Sequence, residues 1–180
     1  MQYISTRGGI APLSFTDAVM MGLARDGGLL LPQHLPAVDH STLNLWQQMS
    51  YQQLACAIVS LFIDDIPQRD LEDLIDQAYA SFAHPQVTPL RREGDLYILE
   101  LFHGPTLAFK DVALSVLPRL IVAAAKAEGM KGDVVILTAT SGDTGKAAME
   151  GFHDVPGTRI TVFYPHGGVS AVQQAQMATQ

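Results

Sequence analysis

A chain of 180 residues with 48% apolar and 16% charged residues has enough apolar side chains for a buried core and too few charges for a solvated tail, which excludes disorder as its main state. A net charge of −7, with no cluster of Lys and Arg, offers no field for phosphate backbones and disfavours nucleic acid as a partner. No apolar run approaches the roughly 20 residues of a membrane span, and no signal-peptide core follows the start, so a soluble, cytoplasmic protein is expected. The single cysteine, Cys56, lies among Leu54, Ala55, Ala57 and Ile58; it has no partner for an internal disulfide and reads as a small buried apolar residue. No HExxH or paired-Cys spacing marks a metal site.

In chain order, Met1 to Thr6 reads as a short strand closed by Arg7-Gly8-Gly9. Ser14, with Asp17 three residues on, predicts a capped helix through Phe15, Ala18, Val19 and Leu23, ended by the Asp26-Gly27-Gly28 turn. Leu29 to Pro32 is a short extended segment, and Pro32 and Pro36 bracket a loop. Ser41 and Ser50 each predict a helix cap, the second opening a helix with Leu54, Ala57, Ile58, Leu61 and Phe62 at helical spacing. Pro67 opens a further helix in which Leu71, Leu74, Ile75, Ala78, Tyr79 and Phe82 recur at three and four, leaving Glu72, Asp73 and Asp76 on a solvated face.

Two prolines between His84 and Pro89 interrupt this pattern and predict a boundary, with one domain over residues 1–86 and a second over 87–180. Beyond it strands and helices alternate. Leu96 to Phe102 (LYILELF) reads as a buried strand, and Asp111 to Glu128 as a helix kinked at Pro118 and ended by Gly129 and Gly132. Val134 to Thr140 (VVILTAT) is a continuous apolar run suited to a strand covered on both faces, hence to a parallel sheet. The turn SGDTG (Ser141 to Gly145) leads into a helix, Arg159 to Tyr164 supplies the next strand, and Val169 to Met177 starts another helix. The fold class is therefore α/β: a mixed, mostly helical domain followed by the first part of a parallel-sheet domain.

Two stretches carry chemistry. HGPTLAFKD (His103 to Asp111) places Lys110 where a helix begins, a position at which unpaired N–H groups and the dipole favour an acid. A cation in that field, beside apolar neighbours, should release its proton more easily than in water, as a lysine nucleophile requires; the plain alternative is a solvated lysine. SGDTG lies at the carboxyl end of a parallel strand and the start of a helix, where open α/β sheets bind ligands. It reads either as a cradle for a carboxylate or phosphate or as an ordinary turn with Asp143 capping the helix. A Walker A loop is excluded, because Lys146 follows Thr140 by six positions and precedes Ala147. An amine and an anion cradle at one sheet edge suit an amino-acid substrate held over an aldehyde cofactor, pyridoxal 5'-phosphate.

HGPTLAFKD and LTATSGDTG, with the opening YISTRGG…SFTDAVMMGLARDGGLLLP and the later YPHGGVSAVQQAQM, resemble threonine synthase of the fold-type II pyridoxal-phosphate enzymes, over essentially the whole chain. The resemblance implies that Lys110 is the Schiff-base lysine and proton shuttle, and that Phe109 and Asp111 position it. It implies further that Ser141, Gly142, Asp143 and Thr144 contact the substrate carboxylate and, through Asp143, the cofactor ring oxygen. Many relatives carry Asn where this chain has Asp143. The implied reaction converts O-phospho-L-homoserine and water to L-threonine and phosphate. Family members are much longer, and the glycine-rich loop for the cofactor phosphate comes later in them; Gly167-Gly168 lies in the wrong element to replace it. The expectation is an N-terminal portion that by itself neither binds the cofactor stably nor turns over substrate, with self-association through the exposed sheet face. Alternatives are another fold-type II lyase such as a serine or threonine dehydratase, against which the extension before His84 argues, and a non-catalytic binding module.

Overall fold

The computed structural model describes residues 1–140 and 142–178. The chain forms two compact units, Met1–Asp76 with Ala123–Met130, and Gln77–Val122 with Lys131–Gln180.

In the first unit β1 (Tyr3–Ser5) pairs antiparallel with β2 (Leu30–Pro32), Tyr3 opposite Pro32 and Ser5 opposite Leu30. Between them α1 (Phe15–Met21) starts at Ser14, whose Oγ accepts the Asp17 N–H at 3.1 Å. This helix ends at Gly22 (φ 68°), earlier than the Asp26-Gly27-Gly28 turn expected from the sequence. A left-handed residue whose N–H returns to the Ala18 carbonyl stops a helix without further help. Asp26 instead ties the loops together. Its carboxylate accepts from Ser5 Oγ (2.7 Å), Gly9 N–H (2.8 Å) and Gly28 N–H (2.9 Å), and a Cβ on Gly28 would collide with Ser5 Oγ.

Next, α2 (His40–Trp46) is capped by Asp39, which accepts the Thr42 N–H at 2.8 Å. Ser41, expected as the cap, lies inside the first turn and donates to Asp39 at 2.8 Å, because an aspartate two residues earlier competes for the same helical donors. Ser50 does cap α3 (Tyr51–Val59), in a reciprocal box with Gln53. Cys56 is buried in α3 and its Sγ accepts from Gln68 Nε2 at 3.3 Å. Behind Pro67, α4 (Gln68–Tyr79) buries Leu71, Leu74, Ile75, Ala78 and Tyr79 and exposes Glu72, Asp73 and Asp76, as its spacing requires.

The second unit begins with an antiparallel hairpin of β3 (Leu90–Glu93) and β4 (Leu96–Leu99), turned at Gly94 (φ 62°). LYILELF is therefore not a buried strand. Leu96, Tyr97, Ile98 and Leu99 are all exposed, because β4 pairs only with β3 and no described element covers either face of this ribbon. The helix expected over residues 111–128 is two helices, α5 (Asp111–Leu114) and α6 (Leu117–Ala127). Pro118 has no N–H to return to Leu114, so the chain restarts with the Val116 carbonyl accepting from Arg119 and Leu120, both at 3.1 Å, and Pro118 fully buried in the first turn.

β5 (Val134–Ala139), α7 (Asp143–Phe152) and β6 (Thr158–Phe163) form the expected right-order β-α-β unit, with the strands parallel and Val134 opposite Thr158. Coverage of β5 on both faces is overturned. The burial of the pair alternates: Val134, Ile136, Thr138, Ile160 and Val162 are half-buried on the face where α7 packs on β6, while Val135, Leu137, Ala139, Arg159, Thr161 and Phe163 are exposed on the other. Finally α8 (Ala171–Ala178) starts at Ser170, whose Oγ accepts the Gln173 N–H at 3.2 Å.

The three donors on Asp26, led by Ser5 Oγ, hold its carboxyl below the ordinary 3.8 of an aspartate. The folded state thus favours the ionised form, and this stabilisation is complete above the unfolded value and disappears as pH falls through the lower folded one. Asp26→Asn is expected to be less stable than the parent at neutral pH and to lose less stability on acidification. Urea midpoints measured from about pH 5 to about pH 2 check this, and parallel curves for the two proteins would contradict it.

Candidate active site around Lys110

The loop between β4 and α5 is built in two closed turns. Leu107 N–H returns to the Gly104 carbonyl at 3.1 Å and Asp111 N–H to the Ala108 carbonyl at 3.0 Å. Leu107 itself adopts φ 62°, the left-handed region that a leucine seldom occupies. At the base of the loop Glu100 bridges Arg91 Nε (2.8 Å) and His103 Nε2 (2.7 Å), and the His103 carbonyl accepts from Ala83 N–H at 2.9 Å. At its far end Asp111, 2% exposed, accepts from Thr106 N–H (2.8 Å) and Thr106 Oγ1 (2.5 Å).

Lys110 occupies the N-cap position of α5 without a side-chain capping bond, and its Nζ lies 4.8 Å from the centroid of the Phe109 ring. The four residues of α5 supply little of the macrodipole invoked from the sequence. What the structure provides instead is an apolar wall. A cleft of about 450 Å³ is lined by Leu101, Phe109, Lys110, Val112, Ala113, Leu114 and Thr144. Of the sequence-predicted residues, Lys110, Phe109 and Thr144 therefore share one cavity.

Gly142 and Asp143 stand at the head of α7 but are not among the lining residues. The N–H groups of Gly142 (3.1 Å) and Gly145 (3.2 Å) converge on Thr140 Oγ1, an acceptor inside the chain rather than a ligand. Asp143 does not cap α7; it is the first helical residue, and its Oδ1 accepts from Gln173 Nε2 at 3.0 Å. Gln173 thus joins α8 to the turn, while its Oε1 accepts the Ser170 N–H at 3.1 Å. Ser141 lies outside the described residues.

Sequence reasoning missed Thr106, Gln173 and the apolar lining residues Leu101, Val112, Ala113 and Leu114. Only Gln173 left a readable trace, as the fourth residue of a Ser-x-x-Gln capping box. Another close approach sets the distance between the two loops. A Cβ on Gly151 would collide with the Leu114 carbonyl oxygen, so α7 can lie against α5 only with glycine there. Gly151→Ala is expected to cost about 1–3 kcal/mol, the range for overpacking against backbone. Urea unfolding measures it, and a loss below about 0.5 kcal/mol would show that α5 can retreat freely.

Residues 2–79 match the family model described as threonine synthase N terminus. The threonine synthase of Pseudomonas aeruginosa is 44% identical over 99% of this chain and 38% of its own length. Among solved structures, pyridoxal-phosphate-bound threonine synthase from Brucella melitensis superimposes with a TM-score of 0.92 at 44% identity, covering 98% of this chain and 38% of that one. Yeast threonine synthase gives 0.91 at 43% identity, with the same coverage. The chain thus spans under two-fifths of the length of the relatives it matches. This similarity runs through the mostly helical N-terminal unit and on past both the lysine loop and the SGDTG turn, so that over nearly all of its length the chain is similar to the N-terminal portion of threonine synthases.

Proposed function

We propose that Lys110 is the reacting lysine of a threonine synthase that uses pyridoxal 5'-phosphate to convert O-phospho-L-homoserine and water to L-threonine and phosphate. The observation that carries this reading is the shared cleft: the one lysine on its wall faces a volume bounded by Phe109, Leu101 and Leu114 on the apolar side and by Thr144 on the polar side. A flat aromatic aldehyde fits such a donor set, since it needs an amine for its carbonyl carbon and apolar surface for its ring. When bound, the cofactor supplies an electron sink for charge developing at carbons of the amino acid.

The chain's own residues do the rest. Lys110 would hold the cofactor at its aldehyde carbon and, as a free amine, would take and return the proton at the substrate's Cα. Phe109, Leu101 and Leu114 give that amine an apolar wall. Thr144 would orient the substrate carboxylate, a role this reading extends to Ser141, Gly142 and Asp143, and Asp143 would be the residue toward the cofactor's ring oxygen. In this reading residues 1–86 form the accessory domain and residues 87–180 the first part of the cofactor domain of a cytoplasmic enzyme.

Full-length protein mixed with the cofactor should show a visible absorbance band that borohydride bleaches and Lys110→Ala abolishes, and should release phosphate from O-phosphohomoserine. A band of full strength in Lys110→Ala would sink the assignment of the lysine. Dehydration of serine or threonine without phosphate release would instead place the enzyme among other lyases of the fold type. Residues 1–180 expressed alone are expected to give no lysine-dependent band.

Self-association is supported by the open face of the parallel pair, where Leu137 is 69% and Phe163 60% exposed. Sedimentation of the 180-residue chain should show concentration-dependent association that Leu137→Lys with Phe163→Lys reduces; a monomer at all concentrations would rule it out.

A further inference from the structure

We propose that Thr106, clamped onto the buried Asp111, is a positioning residue for Lys110 that holds the loop from His103 in the conformation that places the lysine on the cleft wall. The inference rests on the reading of Lys110 as the reacting lysine. It starts from a buried acid without a counter-ion. Asp111 is 2% exposed, and among the described residues no Lys, Arg or His forms an ion pair with it. A carboxylate removed from water without a counter-ion is costly unless hydrogen bonds replace its hydration. Both of its oxygens are taken by one residue, Thr106, through the backbone N–H at 2.8 Å and the hydroxyl at 2.5 Å.

The clamp closes a short ring of chain. Inside that ring lies Leu107 at φ 62°, 70% exposed, so the side chain gains no burial to offset a backbone cost of about 1–3 kcal/mol. Such a conformation persists only where its neighbours over-determine it. They do so on three sides. Thr106 is pinned to Asp111, Leu107 N–H is bonded to the Gly104 carbonyl, and Gly104 packs so closely on Asp111 that an added Cβ would collide with its Cβ and Oδ2. Lys110 sits between the two ends of the clamp, one residue before Asp111 and four after Thr106. The backbone that carries its side chain to the cleft wall is thereby fixed, which lowers the entropic cost of capturing a bound aldehyde. Asp111 itself is not among the residues that line the cleft.

The test uses the full-length apoprotein. Pyridoxal phosphate is added, borohydride stops the reaction at successive times, and the mass shift of the Lys110 tryptic peptide gives a capture rate; kcat and KM are measured alongside. Asp111→Ala is expected to slow capture and lower kcat by about tenfold or more with KM little changed, and Thr106→Val to act in the same direction. Asp111→Asn and Thr106→Ser are expected to stay within about threefold of the parent, because Asn can accept from the N–H and donate to the hydroxyl, and Ser keeps both donors. Capture by Asp111→Ala at the parent rate would overturn the proposal. Should that variant fail to fold, the comparison of Thr106→Val with Thr106→Ser decides, equal rates overturning it. Lys110→Ala reports separately on the underlying reading, since loss of capture there with no effect of the clamp variants would spare the lysine assignment and reject only this inference.

Discussion

A Cβ at Gly151 would strike the carbonyl oxygen of Leu114, and that contact between two backbones sets the spacing of the site. Helices normally keep 8–10 Å between axes because side chains intervene; a glycine at the crossing removes the intervening side chain. With α7 this close to α5, Thr144 in the first turn of one helix and Lys110 at the start of the other border the same cavity. A second glycine serves the same end from the sheet side. Gly145 has Thr140 Cβ at 2.9 Å and Val162 Cγ1 at 3.0 Å from where its own Cβ would stand, so α7 lies low on β5 and β6 at its beginning as well. The apolar cleft is what remains when two helices and a strand end are drawn together without side chains to fill the gap.

Within that frame, polar groups are used mainly to fix loops. Thr140 Oγ1 gathers the N–H groups of Gly142 and Gly145, Gln173 ties Asp143 to α8, and Glu100 spans Arg91 and His103. Each is a modest interaction, since a net intramolecular hydrogen bond contributes about 0.5–1.5 kcal/mol. Their value is conformational. In the role proposed for it Lys110 would gain more from arriving in one place than from any single bond, and the residues around it restrict its backbone from both sides.

How much of this could be read from the chain depends on how local the cause was. Ser14, Ser50 and Pro67 act on the residues beside them, so α1, α3 and α4 begin where the sequence places them. Asp39 outcompeting Ser41 is also local, and was legible to closer inspection. Lys110 and the SGDTG turn stand out because their residue types are unusual for their positions. Thr106 and Gly151, by contrast, matter only through partners five and thirty-seven positions away, and a threonine in a turn or a glycine in a helix carries no mark of that partner. Pro118 was legible as an interruption, but whether a proline kinks a helix or restarts one depends on the carbonyl four residues earlier finding another donor.

The misread strands share a cause. VVILTAT and LYILELF lack the alternation of a half-solvated strand, and the inference from that to burial on both faces assumes that something stands ready to cover each face. The chain spans 38% of the solved structure it matches, and among the described residues β5 pairs only with β6 and one face of the pair has no covering element. Val135, Leu137 and Phe163 therefore carry the composition of an interior on a surface. The same holds for Leu96, Tyr97, Ile98 and Leu99 on the hairpin. Exposed area of this kind is normal when scattered and costly when contiguous. On β4 and β5 it lies on strands whose ends lead into the lysine loop and the SGDTG turn, so a change that lowers the free energy of those faces also steadies the two loops proposed to carry the chemistry.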